Sequence, residues 1–86
     1  MDERIGAEAM AAIVAELAAR RMTVACAESL TGGLLADAFV RVPGASQVFR
    51  GGVCAYAADA KASVLGVDAD RLASTGPVDE GVALEM

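Results

Sequence analysis

The chain has 86 residues and a formal charge of −5, with one Tyr, two Phe, two Cys and neither Trp nor His. That length holds one domain or a piece of one, and a domain so small buries only about 60–65% of its unfolded surface. Scattered basic residues in an acidic chain argue against a nucleic-acid footprint, which needs clustered Lys and Arg, and two cysteines without a His argue against a zinc site.

The N-terminus, Met1-Asp2-Glu3-Arg4, is acidic and lacks the apolar core of a signal peptide. Glu8 and Glu16 interrupt the apolar run from Ala7 to Ala19, so it does not read as a membrane span. A soluble, cytoplasmic protein with no membrane partner is expected. The first element is a helix from about Asp2 to Arg21, with Ile5, Ala9, Ile13 and Leu17 on one face and Ala12 beside them. Arg20 and Arg21 sit at its end, where positive charge complements the helix dipole.

A short buried strand follows at Thr23–Ala27, then the turn Glu28-Ser29-Leu30-Thr31-Gly32-Gly33. The second helix, Leu34 to Val42, carries Leu34, Leu35, Ala38, Phe39 and Val42 at helical spacing, and Pro43-Gly44 break it. Gln47 to Tyr56 reads as extended, with Gly51 and Gly52 marking a bulge or a close backbone approach. Cys26 and Cys54 both fall in apolar strand-like runs and are expected as buried, reduced thiols.

A short helix is expected at about Ala58–Leu65, stopped by Gly66. Asp68 caps a turn through Leu72, Thr75 to Val78 is a loop, and Asp79 caps a helix beginning at Glu80. Val82, Ala83, Leu84 and Met86 start an apolar face on that last helix, which is too short to persist without a packing partner. The face reads as interrupted and leaves room for a homo-oligomer. Neither internal repeat nor linker is evident, and residues 1–86 read as one partial domain. Alternating helices and strands place it in the layered α/β class.

Ligands of such folds bind beyond the carboxyl ends of the strands. Ser29 follows the first strand and the segment Tyr56 to Lys61 follows the second, so neighbouring strands would bring Lys61 toward Ser29. Without a His, a serine nucleophile needs another base, and a lysine in its neutral form can serve. Lys61 is the only lysine, against six arginines. Glu28 can orient Lys61, bind a substrate hydroxyl or pair with an arginine. Thr31 can hold an anion or cap the helix. Tyr56 can contact a ligand or sit half-buried, and Arg50 with Gly51 and Gly52 can touch a phosphate. A plain capping role for the whole Ser29 turn is the competing structural reading.

With these residues in view, the chain resembles the CinA C-terminal domain family, whose enzymes are nicotinamide mononucleotide amidases. The markers run in order through Ala27-Glu28-Ser29-Leu30-Thr31-Gly32-Gly33, Val42-Pro43-Gly44-Ala45-Ser46, Gly51-Gly52-Val53 and Tyr56. They continue through Ala60-Lys61, Leu65-Gly66-Val67, Gly76-Pro77-Val78 and Val82-Ala83-Leu84-Glu85-Met86. The resemblance implies a three-layer α/β/α sandwich, here a partial domain, that hydrolyses the carboxamide of nicotinamide mononucleotide to nicotinate mononucleotide and ammonia. It implies Ser29 as nucleophile, Lys61 as general base, and Glu28, Thr31, Gly32, Gly33 and Tyr56 in the ligand site, without cofactor or metal.

Three positions depart from the family pattern: Leu30 replaces a Cys, Tyr56-Ala57-Ala58-Asp59-Ala60-Lys61 lacks a Ser and an Asn before the lysine, and Asp79 replaces a Ser. The family domain is about twice as long, and its second half adds a Ser-Gly-Ile-Ala-Gly-Pro-like stretch. The other readings are a non-catalytic nucleotide-binding or regulatory module, and a fragment that needs its missing half to fold.

Overall fold

A computed structural model describes residues 6–86. In chain order these form α1 (Ala7–Ala19), β1 (Val24–Glu28), α2 (Leu34–Val40), a 3-10 turn (Ala45–Gln47), β2 (Phe49–Cys54), α3 (Ala58–Ser63), α4 (Ala69–Thr75) and α5 (Glu80–Glu85). The expected first-helix residues Asp2 to Ile5 lie outside the described residues. None of the described helices is long and apolar enough to cross a membrane. The chain divides into two compact units, one made of residues through Cys26 together with Gly33–Val53, the other of Ala27–Gly32 with Cys54–Met86.

The first unit is centred on Met10, Val14, Phe39 and Val48, with Leu17, Val24, Leu35, Ala38, Val42 and Phe49 packed around them. The buried stripe of α1 is therefore Met10, Val14 and Leu17, spaced four and three residues apart. Ile13, expected on the core face with Ala9 and Ala12, is exposed along with both. Alanine dilutes the contrast between faces, so two neighbouring stripes compete and the one carrying Met10 and Val14 packs. Phe39 and Phe49 stack with ring centroids 5.2 Å apart and planes 7° from parallel.

α1 ends in a Schellman motif. The Met22 N–H donates to the Leu17 carbonyl at 2.9 Å and the Arg21 N–H to the Ala18 carbonyl at 3.1 Å. Arg21 occupies the left-handed position at φ 54°, where glycine is the usual choice. Arg20 meanwhile pairs with Glu16 one turn back, at 2.6 Å.

β1 and β2 are hydrogen-bonded neighbours. The Val24 N–H donates to the Val48 carbonyl and the Ala55 N–H to the Glu28 carbonyl, so the strands run parallel. Glu28 lies four positions after Val24, while Ala55 lies seven positions after Val48, one more than regular parallel register allows. That extra residue is a bulge beside Gly51, whose φ is 144°. Gly52 supplies the close approach: a Cβ there would lie 2.8 Å from Cys26 Sγ and 3.3 Å from Ala36 Cβ. Gln47, expected to be extended, belongs to the 3-10 turn after Gly44.

The second unit buries Ala55, Lys61, Val67 and Val82, together with Glu28. Gly66, at φ 74°, turns the chain after α3, and the N–H groups of Gly66 and Val67 donate to the Ala62 and Lys61 carbonyls. Asp68 caps α4 through the Asp70 N–H, and the helix runs to Thr75, three residues beyond the expected turn. Asp79 caps α5 by accepting from the Gly81 and Val82 N–H groups. The short α5 is anchored by fully buried Val82 and by Glu85, which pairs with Arg71 and accepts from the Asp68 N–H. Leu84 stays exposed, so only part of the expected apolar face is used. Cys54 is exposed at the end of β2, contrary to the expectation of a buried thiol, because that end of the strand is uncovered. Cys26 is half-buried, and the two thiols are not joined.

Candidate active site

Ser29 directly follows the last residue of β1. The turn it opens is closed by the Gly32 N–H, which donates to the Ser29 carbonyl at 3.2 Å. Gly32 and Gly33 have φ of 64° and 110°, and a Cβ on either would meet no neighbour. Conformation rather than space therefore favours glycine at both. Gly33 is the N-cap of α2, which has no side-chain cap. Thr31 neither caps that helix nor stands unengaged: its hydroxyl donates to Glu28 Oε1 at 2.5 Å. One main-chain bond and one side-chain bond thus hold the turn around Ser29.

Lys61 is the fourth residue of α3 and only 2% exposed. Its Nζ lies 2.8 Å from Ser29 Oγ, 3.1 Å from the Ala55 carbonyl oxygen and 3.1 Å from that of Tyr56. Among the described residues no carboxylate stands within ion-pairing distance of this amine. Glu28, expected as one option to orient Lys61, is not a partner of Nζ; the two carbonyls do the orienting. The Ala55 main chain has a double role, because its N–H also donates to the Glu28 carbonyl at 2.9 Å. A single residue, through the two peptide groups on either side of it, therefore ties the residue before Ser29 to the residue that reaches it.

The three contacts of Nζ match both protonation states. As an ammonium it donates to all three oxygens; as a neutral amine it donates to the two carbonyls and presents its lone pair to the Ser29 hydroxyl. In the second state the arrangement can take a proton from Oγ, which is the requirement for a serine nucleophile. Tyr56 contributes its carbonyl to Lys61 while its side chain is 69% exposed, neither half-buried nor within β2. Leu30, next to Ser29, is 89% exposed. Both side chains are open to a ligand.

The structure therefore brings together Ser29 and Lys61, and separately Glu28 and Thr31, on one short segment. Ala55 escaped sequence reasoning because its part is played by backbone atoms, for which an alanine carries no signal. Arg50 is exposed, and Gly52 has Cys26 and Ala36 on the side where a Cβ would stand. No cluster of three His, Cys, Asp or Glu among the described residues could hold a metal ion.

Comparison with known proteins places the chain in a family. The profile of the CinA C-terminal domain matches residues 7–86. A CinA-like protein of Frankia casuarinae is 53% identical over 70 residues, covering 81% of this chain and 16% of its own length. One from Thermotoga maritima is 50% identical over 74 residues, covering 86% and 18% respectively. Among solved structures, the competence/damage inducible protein CihA from Agrobacterium tumefaciens superposes with a TM-score of 0.89 at 36% identity, over 100% of this chain and 53% of that one. A CinA superfamily protein from Escherichia coli gives 0.87 at 30% identity, over 93% and 47%. The chain thus spans less than a fifth of these curated relatives and about half of these solved chains. On the profile match and the level of identity, it belongs to the CinA C-terminal domain family.

Proposed function

We propose that the Ser29–Lys61 pair is the centre of an amidohydrolase acting on the carboxamide of nicotinamide mononucleotide. The observation that carries this reading is the buried Lys61 amine, oriented by two carbonyls and 2.8 Å from Ser29 Oγ. Oγ attacks the amide carbon as its proton passes to Nζ. Collapse of the tetrahedral intermediate expels ammonia with a proton returned from Nζ, leaving an ester on Ser29. Water, deprotonated by the same amine, then releases nicotinate mononucleotide. The backbone N–H groups of the Glu28–Gly33 turn stabilise the oxyanion or hold the substrate phosphate, and the exposed Tyr56 ring covers the pyridine.

Ammonia release from nicotinamide mononucleotide, measured for the native chain and for Ser29→Ala and Lys61→Ala, tests the reading. Removing nucleophile or base should lower the rate at least about 100-fold. Equal rates in all three proteins overturn it. A second reading draws on Ala57 and Ala58, which place no polar side chain ahead of Lys61. In that case the turn binds a nucleotide without turnover, and calorimetry registers binding while ammonia release stays at background.

A further inference from the structure

We propose that the Ser29–Lys61 pair is also an esterase, cleaving uncharged aryl esters of small carboxylic acids with turnover. This rests on the pair being catalytic, though not on nicotinamide mononucleotide as its substrate. As an ammonium, Nζ has one acceptor for each of its three N–H groups: Ser29 Oγ at 2.8 Å, and the Ala55 and Tyr56 carbonyls, each at 3.1 Å. The proton taken from Oγ therefore points back at Oγ and not at the leaving group. An amine leaves only as it is protonated, so an amide has to draw that proton across. A phenol oxygen leaves as its anion, so an aryl ester asks less of this geometry.

The surroundings of the pair select an ester without charge. Ser29 and Lys61 belong to the same compact unit, whose other cationic side chain is Arg71, paired with Glu85. Asp59, Asp68, Asp70, Asp79 and Glu80 of that unit have no cationic partner among the described residues. An anionic substrate meets their repulsion with no free side-chain cation to offset it. Leu30, which follows Ser29, and Tyr56, whose carbonyl orients Lys61, expose side chains that can cover an acyl group or an aryl ring.

The reaction balances with water as its one co-reactant. Oγ bonds to the ester carbon as its proton passes to Nζ, and the bond to the phenol oxygen breaks with its electron pair. The ammonium gives its proton to solvent and is a neutral amine again. Water then loses a proton to Nζ and attacks the acyl carbon, the Oγ–C bond breaks, and Oγ recovers its proton from Nζ. One ester and one water become one carboxylic acid and one phenol, with serine and lysine restored.

The test is steady-state hydrolysis of 4-nitrophenyl acetate by the full chain, followed beyond many equivalents of product so that single acylation of any side chain does not count. Ser29→Ala and Lys61→Met should each lower the rate at least about 100-fold. Prior treatment of the native chain with a fluorophosphonate should abolish turnover without any substitution. Cys54→Ala should leave it unchanged, since that exposed thiol lies outside the pair. The anionic ester 4-acetoxybenzenesulfonate, with each rate taken relative to that ester's own hydrolysis by hydroxide, should react at least about fivefold more slowly, the effect of one like charge about 4 Å away in water. Product that stops at one equivalent, or turnover that survives Ser29→Ala or the fluorophosphonate, overturns the esterase. Equal or faster cleavage of the anionic ester overturns its substrate class. Ester turnover in a chain that releases no ammonia from nicotinamide mononucleotide removes the amide substrate and leaves the esterase standing, whereas ammonia release without ester turnover does the reverse.

Discussion

Gly52→Ala measures how tightly the two strands and α2 are packed. Gly52 does not have a positive φ, so an alanine is free of backbone strain and gains about 0.5–1 kcal/mol over glycine in a strand. Against this, the new Cβ would stand 2.8 Å from Cys26 Sγ and 3.3 Å from Ala36 Cβ. Forcing a methyl into such a contact costs about 1–3 kcal/mol, so the net effect is a loss of about 1 kcal/mol. In a domain of this size that lowers Tm by about 4–8 °C. Cys26→Ala removes the sulfur responsible for the shorter contact, and in that background Gly52→Ala should be close to neutral. The four proteins of the double-mutant cycle, unfolded in urea and followed by circular dichroism, should therefore show a favourable coupling of about 1 kcal/mol. Additivity within about 0.5 kcal/mol, or stabilisation by Gly52→Ala alone, refutes the packing argument.

Arg21→Gly should stabilise the chain, because Arg21 holds the left-handed position of the α1 C-cap. An L-residue there costs about 1–2 kcal/mol, of which the greater freedom of glycine when unfolded cancels about 0.4–1, leaving a net gain of about 0.5–1 kcal/mol. A lower Tm for Arg21→Gly contradicts this. Thr31→Val deletes the hydroxyl that donates to the buried Glu28 side chain and should destabilise by about 1–2 kcal/mol in urea unfolding. Thr31→Ser keeps the donor and should restore most of the loss; equal midpoints for Val and Ser would show that the bond contributes nothing.

The strand, turn and helix around Ser29 were legible because buried strand, glycine pair and helical periodicity fall in sequence order, each with its own signal. Asp79 and Gly66 were legible for the same reason: a cap and a left-handed turn are local chemistry. The juxtaposition of Ser29 and Lys61 follows only from assuming neighbouring strands, and the amine is held by main-chain carbonyls of Ala55 and Tyr56, which no side chain encodes. Other features were hidden for identifiable reasons. The packed face of α1 was misread because alanine blurs the stripe boundary, and Met10 and Val14 lie beside Ile13 on the helix surface. Arg21 in a glycine position gave no compositional cue. The exposure of Cys54 depends on what covers the end of β2, a tertiary fact that a run of apolar letters does not contain. Glu28 and Thr31 are each open to several roles in the sequence, and their mutual hydrogen bond follows only from the conformation of the turn.

Activation of Ser29 by Lys61 is most directly measured with a fluorophosphonate, which labels an activated serine hydroxyl without requiring the natural substrate. Mass spectrometry should place the phosphonyl group on Ser29 of the native chain, and Lys61→Met should slow labelling at least about 100-fold, the usual contribution of a general base. Ser29 labelled equally fast in both proteins would contradict the account.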